Sequence, residues 1–266
     1  MARYPRKSGG FVRKVRIFLM LVVLVAVAGD AWLKQLRTTD WDRSLWVAVY
    51  PINADGSRQA ASYINSLDDS SFEVIERFLA SEAARYGVRQ SEPVNIHLGP
   101  QVYGLPPVPP EDGHPLKVMW WSLKMRWWAW QNQRDYGDLP ADIVIFVKYY
   151  DPNRHEVLDH SVGLQKGLLG VVNAYASRQM AGRNKMIIAH ELLHTVGATD
   201  KYDMDTLQPT YPEGFAEPQR EPRYPQLKAE IMGGRIPLSP RRAEIPRSLK
   251  KVVIGETTAR EIKWID

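Results

Sequence analysis

Hydrophobic positions along this chain switch between two periods, and the switches mark out its elements. Ser44 to Ile52 (SLWVAVYPI) is rich in β-branched and aromatic residues and runs into a Pro/Asn/Asp-Gly turn, which predicts a first strand. Ser70-Ser71-Phe72-Glu73 reads as a capping box. Phe72, Ile75, Leu79, Ala83 and Tyr86 then keep helical spacing up to Gly87. Pro93 to Leu98 predicts a second short strand. Asp142 to Tyr150 (DIVIFVKYY) is apolar almost throughout, as a central strand covered on both faces would be, and Leu168 to Ala176 (LLGVVNAYA) predicts another. Between those two, Ser161 to Lys166 predicts a short strand at the sheet edge, next to a cleft. A helix carrying His190 and His194 follows. Beyond Asp200, eight prolines between Pro209 and Pro246 withhold backbone donors and predict a compact loop region. Thr258-Ala259-Arg260-Glu261 reads as a second capping box, opening a C-terminal helix to about Ile265 that docks through Ile262 and Trp264.

An insertion over 100–138 interrupts this order between the second and third strands. Pro106, Pro107, Pro109 and Pro110 make a stiff extended linker. Leu116 to Arg134 then carries five of the nine tryptophans. At about 100° per residue, Leu116, Trp120, Leu123, Trp127 and Trp130 gather on one side of a helix, and Trp121, Met125 and Trp128 almost opposite. One face packs on the sheet and the other needs a second partner. The expectation is that Trp121 and Trp128 form the outer face, meeting neighbouring loops, lipid headgroups or a substrate channel.

The chemistry concentrates in residues 190–203, HELLHTVGATDKYD. Four residues apart on a helix, His190 and His194 share a face and can bind one metal ion, while Glu191 can reach a water on that ion as general base. Gly197 tolerates the left-handed backbone that stops the helix. Three residues later, Asp200 can swing under the histidines as a third ligand, leaving a fourth tetrahedral position open for water. Asp203 and Asp205 lie close by in the same loop, and Glu213 and Glu217 further on could also serve as ligands or simply as solvated acids. The competing reading of the stretch is an amphipathic core helix with two surface histidines. His97, His114, His155 and His160 have no ligand spacing among themselves and read as surface or capping residues.

His190, Glu191, His194, Gly197 and Asp200 match H-E-x-x-H-x-x-G-x-x-[HD], so the chain resembles the metzincin zinc metallopeptidases, in the snapalysin-type variant with Asp as third ligand. The resemblance implies an α+β fold: a metzincin-like mixed sheet with an active-site helix, a methionine turn and a C-terminal helix. It implies Zn²⁺ held by His190, His194 and Asp200, with Glu191 as the catalytic base. Ile231-Met232-Gly233-Gly234 looks like the methionine turn, with Met232 as the hydrophobic floor. Tyr202, beside the third ligand, is a candidate oxyanion donor.

Charge and composition then narrow the class. The net charge of +5 suggests a nucleic-acid groove until its source is located: Arg3, Arg6, Lys7, Arg13, Lys14 and Arg16 precede every acidic residue, and removing six from +5 leaves −1 for the rest. No nucleic-acid partner is expected. Residues 1–16 read as a basic cytoplasmic tail and 17–36 as a membrane anchor or cleaved signal segment, built on the apolar run Ile17 to Gly29. Either reading puts residues 40–266, the catalytic domain, outside the cytoplasm, because the positive flank stays inside. With no cysteine, neither disulfides nor thiolate metal sites are available. The expected activity is a zinc endopeptidase acting on peptide or protein substrates. The alternatives are a zinc hydrolase of cell-wall peptides or amides, and a non-catalytic envelope scaffold with a structural zinc.

Overall fold

The computed structural model describes residues 38–110, 114–135, 141–158, 161–164 and 168–266, together with Lys14, Val15 and Phe18. The basic tail and the 17–36 segment therefore lie, apart from those three positions, outside the described residues. Among the described residues no helix is long and apolar enough to cross a membrane.

The elements run β1 (Leu45–Asn53), α1 (Arg58–Ile64), α2 (Glu73–Arg85), β2 (Val94–Leu98), α3 (Pro115–Asp135), β3 (Ile143–Tyr150), β4 (Val162–Leu164), β5 (Leu169–Tyr175) and α4 (Ala181–Thr195). The short pieces β6 (Ala229–Glu230), β7 (Ile236–Ser239), β8 (Arg242–Glu244) and β9 (Val252–Val253) follow, and α5 (Glu256–Glu261) closes the chain. The main sheet has the order β2-β1-β3-β5-β4. Its first four strands are parallel, with Val47 opposite Ile143 and Val144 opposite Leu169, and β4 adds antiparallel to β5 at the edge. The architecture is mixed α/β, within the α+β expectation, and β3 is the central strand that its apolar run predicted.

Alternation along the strands divides the core in two, as a parallel sheet covered on both faces requires. Val47, Val49, Ile143, Ile145 and Val147 face α1, α2 and α4, where Ile75, Leu79, Ile188, Leu192 and Leu193 are all buried. Ala48, Tyr50, Ile52, Val144 and Phe146 face the other way and are covered by α3. The expectation for α3 is here corrected. Trp121 and Met125 are 8% and 0% exposed against the sheet, and Trp128 packs edge-on to Phe146 at 4.7 Å. The outward face is the other one, with Trp120 and Trp127 each 60% exposed. Both faces are apolar, so spacing could not choose between them; the Trp121 indole settles it by donating to the Pro107 carbonyl at 2.8 Å, which ties the proline linker to the sheet side.

Two caps also move. The box before α2 is formed by Asp68 and Ser71, which exchange side-chain and backbone hydrogen bonds around a 3-10 turn, and Ser70 and Glu73 do not form it. An aspartate outcompetes the neighbouring serines because its carboxylate accepts from three donors at once: Ser71 N and the Ser70 and Ser71 hydroxyls. At the C-terminus, α5 starts two residues ahead of Thr258, with Gly255 at the N-cap. Thr258 is buried inside the helix and donates to Glu230, while Glu261 reaches out to Thr199 and Lys201. Ile262 and Trp264 dock as expected, 0% and 7% exposed.

One lock sets the position of α4. The Asn184 amide accepts from Tyr175 N at 3.1 Å and donates to Tyr175 O at 2.7 Å, so the helix is clamped to the end of β5 by a two-way amide pairing. From that point its apolar face runs down the sheet and delivers its last turn to the bottom of a cleft.

Candidate metal centre

His190 and His194 sit one turn apart at the end of α4, and each ring is turned by a backbone carbonyl. His190 Nδ1 donates to the Ile231 carbonyl and His194 Nδ1 to the Ala198 carbonyl, both at 2.8 Å. These bonds place the proton on Nδ1 and leave both Nε2 lone pairs facing inward, as a metal ligand requires. The second carbonyl is a product of the helix stop. Gly197 takes φ +117°, a conformation suited to glycine, and turns Ala198 back beneath the histidine.

The two Nε2 atoms are 3.1 Å apart, and Asp200 Oδ1 lies 3.2 Å from the first and 3.1 Å from the second. A tetrahedral zinc with ligand bonds of about 2.0–2.1 Å sets its donors roughly 3.3 Å from one another. Three donors in a near-equilateral triangle of that size fit one small cation. Electrostatics point the same way. Burial works to raise the Asp200 carboxyl, but the two facing imidazoles hold it well below the ordinary carboxylate range. Burial likewise works to lower His190, and Asp200 with Glu191 carries it above its ordinary value. The pocket thus favours a positive charge between these side chains.

The remaining expected residues fall around the trio. Glu191 is 5% exposed, and its carboxylate groups with the two histidines, one ligand atom from each lying within 4.8 Å of the others. Met232 is fully buried in the main core, in the turn whose Ile231 carbonyl holds His190. The same turn receives Lys201 N on the Met232 carbonyl at 2.9 Å, which anchors the loop that delivers Asp200. Tyr202 stands with its ring 6.5 Å from that of His190. Burial, then the Asp200 and Glu191 carboxylates, push its phenol up to about 12, so it stays protonated and able to donate at neutral pH.

Of the loop acids weighed as third ligand, Asp200 is the one with an oxygen within 3.2 Å of both Nε2 atoms. Asp203 caps its own turn, accepting from Thr206 N and Oγ1 at 2.8 and 2.7 Å. Glu217 accepts from Leu227 N at 3.0 Å, and Asp205 and Glu213 are exposed on loops. Of the other histidines, His97 stacks on Trp46 near Asp69 and His155 lies beside Asp55. His114 is in none of the metal-holding groups among the described residues, and His160 lies outside them.

Three features had no local signal. Glu230, with 0% exposure, accepts from Gly233 N, Gly255 N and the Thr258 hydroxyl, joining the turn that carries Met232 to α5. Lys201 and Glu261 pair at 2.6 Å directly after Asp200. Arg183 and Arg235 both line a cleft of about 330 Å³ that is also lined by His190, Glu191 and Tyr202. Each joins residues tens of positions apart, and the capping pattern at Thr258 to Glu261 assigned Glu261 to its own helix and not to Lys201.

No protein-family model matches the chain, and a search of curated proteins returns no match.

Proposed function

We propose that this protein is a zinc-dependent endopeptidase of metzincin-like type, acting outside the cytoplasm and held at the membrane by its 17–36 segment, or secreted if that segment is cleaved. The observation that carries the reading is the triangle of His190 Nε2, His194 Nε2 and Asp200 Oδ1, with edges of 3.1 to 3.2 Å, at the side of an open cleft. A structural zinc is normally closed by four protein ligands. Here three donors converge, and a carboxylate and a phenol stand beside them.

When bound, zinc supplies Lewis acidity toward a scissile carbonyl and lowers the pKa of coordinated water to about 7. The chain's own groups do the rest. His190 and His194 are kept from turning by their Nδ1 bonds, so their Nε2 atoms stay aimed at the cation. Glu191 takes the proton of the attacking water and returns it to the leaving amine. Tyr202 donates to the oxygen on which charge develops. β4 lies at the edge of the sheet, where an extended substrate can add as a further strand.

Glu191→Gln tests the assignment. The full-length variant should keep its zinc and lose hydrolysis of an unfolded protein such as casein, and turnover at the wild-type rate would remove Glu191 as the base. Activity on purified peptidoglycan with none on casein would favour the cell-wall hydrolase instead.

A further inference from the structure

The cleft beside the candidate metal centre is lined by two arginines that pair with no acid among the described residues. Arg183 lies in the first turn of α4 and Arg235 directly after the methionine turn; both line the cleft with His190, Glu191 and Tyr202. Among the described residues no carboxylate forms an ion pair with either one. Arg183 lies over the Tyr175 ring at 5.9 Å, and its Nε is buried with no hydrogen-bond partner. Among the described residues, the other acid lining the cleft besides Glu191 is Glu156, which is exposed and joined to neither guanidinium.

Such a pair is costly for the fold in three ways. Like charges repel across a partly buried cleft, and burial followed by the nearby Arg183 charge lowers the Arg235 pKa. A cation in the first turn of a helix also opposes the helix dipole, and that turn of α4 contains no acid to offset it. A buried guanidinium N–H without an acceptor forgoes a hydrogen bond that water would supply. An anion placed between the two groups relieves all three, because a carboxylate accepts paired N–H bonds from a planar guanidinium.

We infer that Arg183 and Arg235 form a carboxylate-binding subsite of the cleft, so that the substrates are peptides carrying a carboxylate, on an acidic side chain or at a free C-terminus, close to the bond that is cut. The substrate class rests on the peptidase reading, whereas the binding subsite stands on the arginines alone.

Binding is measured with the full-length Glu191→Gln protein, zinc-loaded, so that no turnover intervenes. Calorimetric titrations use three probes: acetyl-Ala-Ala-Ala as the free acid, the same peptide as its amide, and acetyl-Ala-Asp-Ala-amide. One or both carboxylate peptides should bind roughly tenfold or more tightly than the neutral amide; the free acid reports a C-terminal carboxylate and the Asp peptide a side chain. Adding Arg183→Gln or Arg235→Gln should abolish that preference while leaving the neutral amide unchanged, and Arg→Lys at either position should restore part of it. Circular dichroism on each variant separates loss of fold from loss of charge. Equal binding of all three probes, or a preference that survives both glutamine substitutions, overturns the subsite. A carboxylate preference in a wild-type protein that cleaves nothing would leave the subsite standing and remove only the peptidase.

Discussion

Lys201 and Glu261 close an ion pair of 2.6 Å across 60 residues of sequence, immediately behind Asp200, the proposed third ligand. Lys201 has its side chain 4% exposed and also donates to the Thr199 carbonyl, while Glu261 accepts from Thr199 N and Oγ1. The C-terminal helix therefore brackets Asp200 on both flanks. Glu261→Ala removes the carboxylate partner of the Lys201 ammonium and of both Thr199 donors. It should lower the unfolding free energy of the metal-free chain by about 1–3 kcal/mol in urea. Zinc affinity should fall by roughly tenfold in a chelator competition, as expected when a group that orients a ligand is lost. Unchanged zinc affinity would show that the brace does not position Asp200.

The same brace fixes a pH dependence. Burial tends to raise the Glu261 carboxyl, but Lys201 and Thr199 hold it below its ordinary value of 4.5. A lowered carboxyl contributes stability that is present above the unfolded value and is lost as pH falls through the folded one. The gap in urea stability between wild type and Glu261→Gln should therefore be widest near neutral pH and shrink as pH drops below 4.5. Glu230 is the opposite case: burial raises it, so its contribution is lost as pH rises through the raised value. The corresponding gap for Glu230→Gln should run with the opposite slope, and parallel slopes for the two variants would refute this account.

On α3, the two faces make different demands. Trp121→Ser removes a ring packed against the sheet together with its bond to Pro107, and should cost about 3–5 kcal/mol in equilibrium unfolding. Trp120→Ser and Trp127→Ser alter exposed rings and should each stay within about 0.5 kcal/mol. Similar losses on both faces would mean that the outward tryptophans are also packed.

What could be read in advance divides along these lines. His190, His194, Gly197 and Asp200 fall within eleven residues, and helix pitch plus one glycine stop fixes their relation, so local spacing was enough. β3 was legible because a strand covered on both faces needs an unbroken apolar run. The α3 orientation was not, because both of its faces are apolar and only the distant Pro107 carbonyl distinguishes them. Glu230 and Glu261 escaped for a related reason: an acid's local context advertises a cap or solvent, while its real partners at Gly255, Thr258, Thr199 and Lys201 come from folding.

Two adjacent glycines in the turn that carries Met232 separate packing from backbone conformation. A Cβ on Gly233 would run into the Gly214 carbonyl, a backbone atom that cannot rotate away. Gly233→Ala should thus cost about 1–3 kcal/mol and weaken zinc binding by moving the Ile231 carbonyl off His190. Gly234 has φ +70° with open space around it, so Gly234→Ala should cost about 1 kcal/mol with zinc affinity retained. Equal effects on zinc affinity would indicate that the turn does not support the histidine.

The claim beneath all of this is that His190, His194 and Asp200 share one ion. Elemental analysis of the zinc-loaded, desalted full-length protein measures it directly, with Asp200→Ala alongside. One zinc ion per wild-type chain and a large loss on replacing Asp200 are expected. A wild-type chain that retains no zinc, or an Asp200→Ala chain that retains as much with equal affinity, would contradict it.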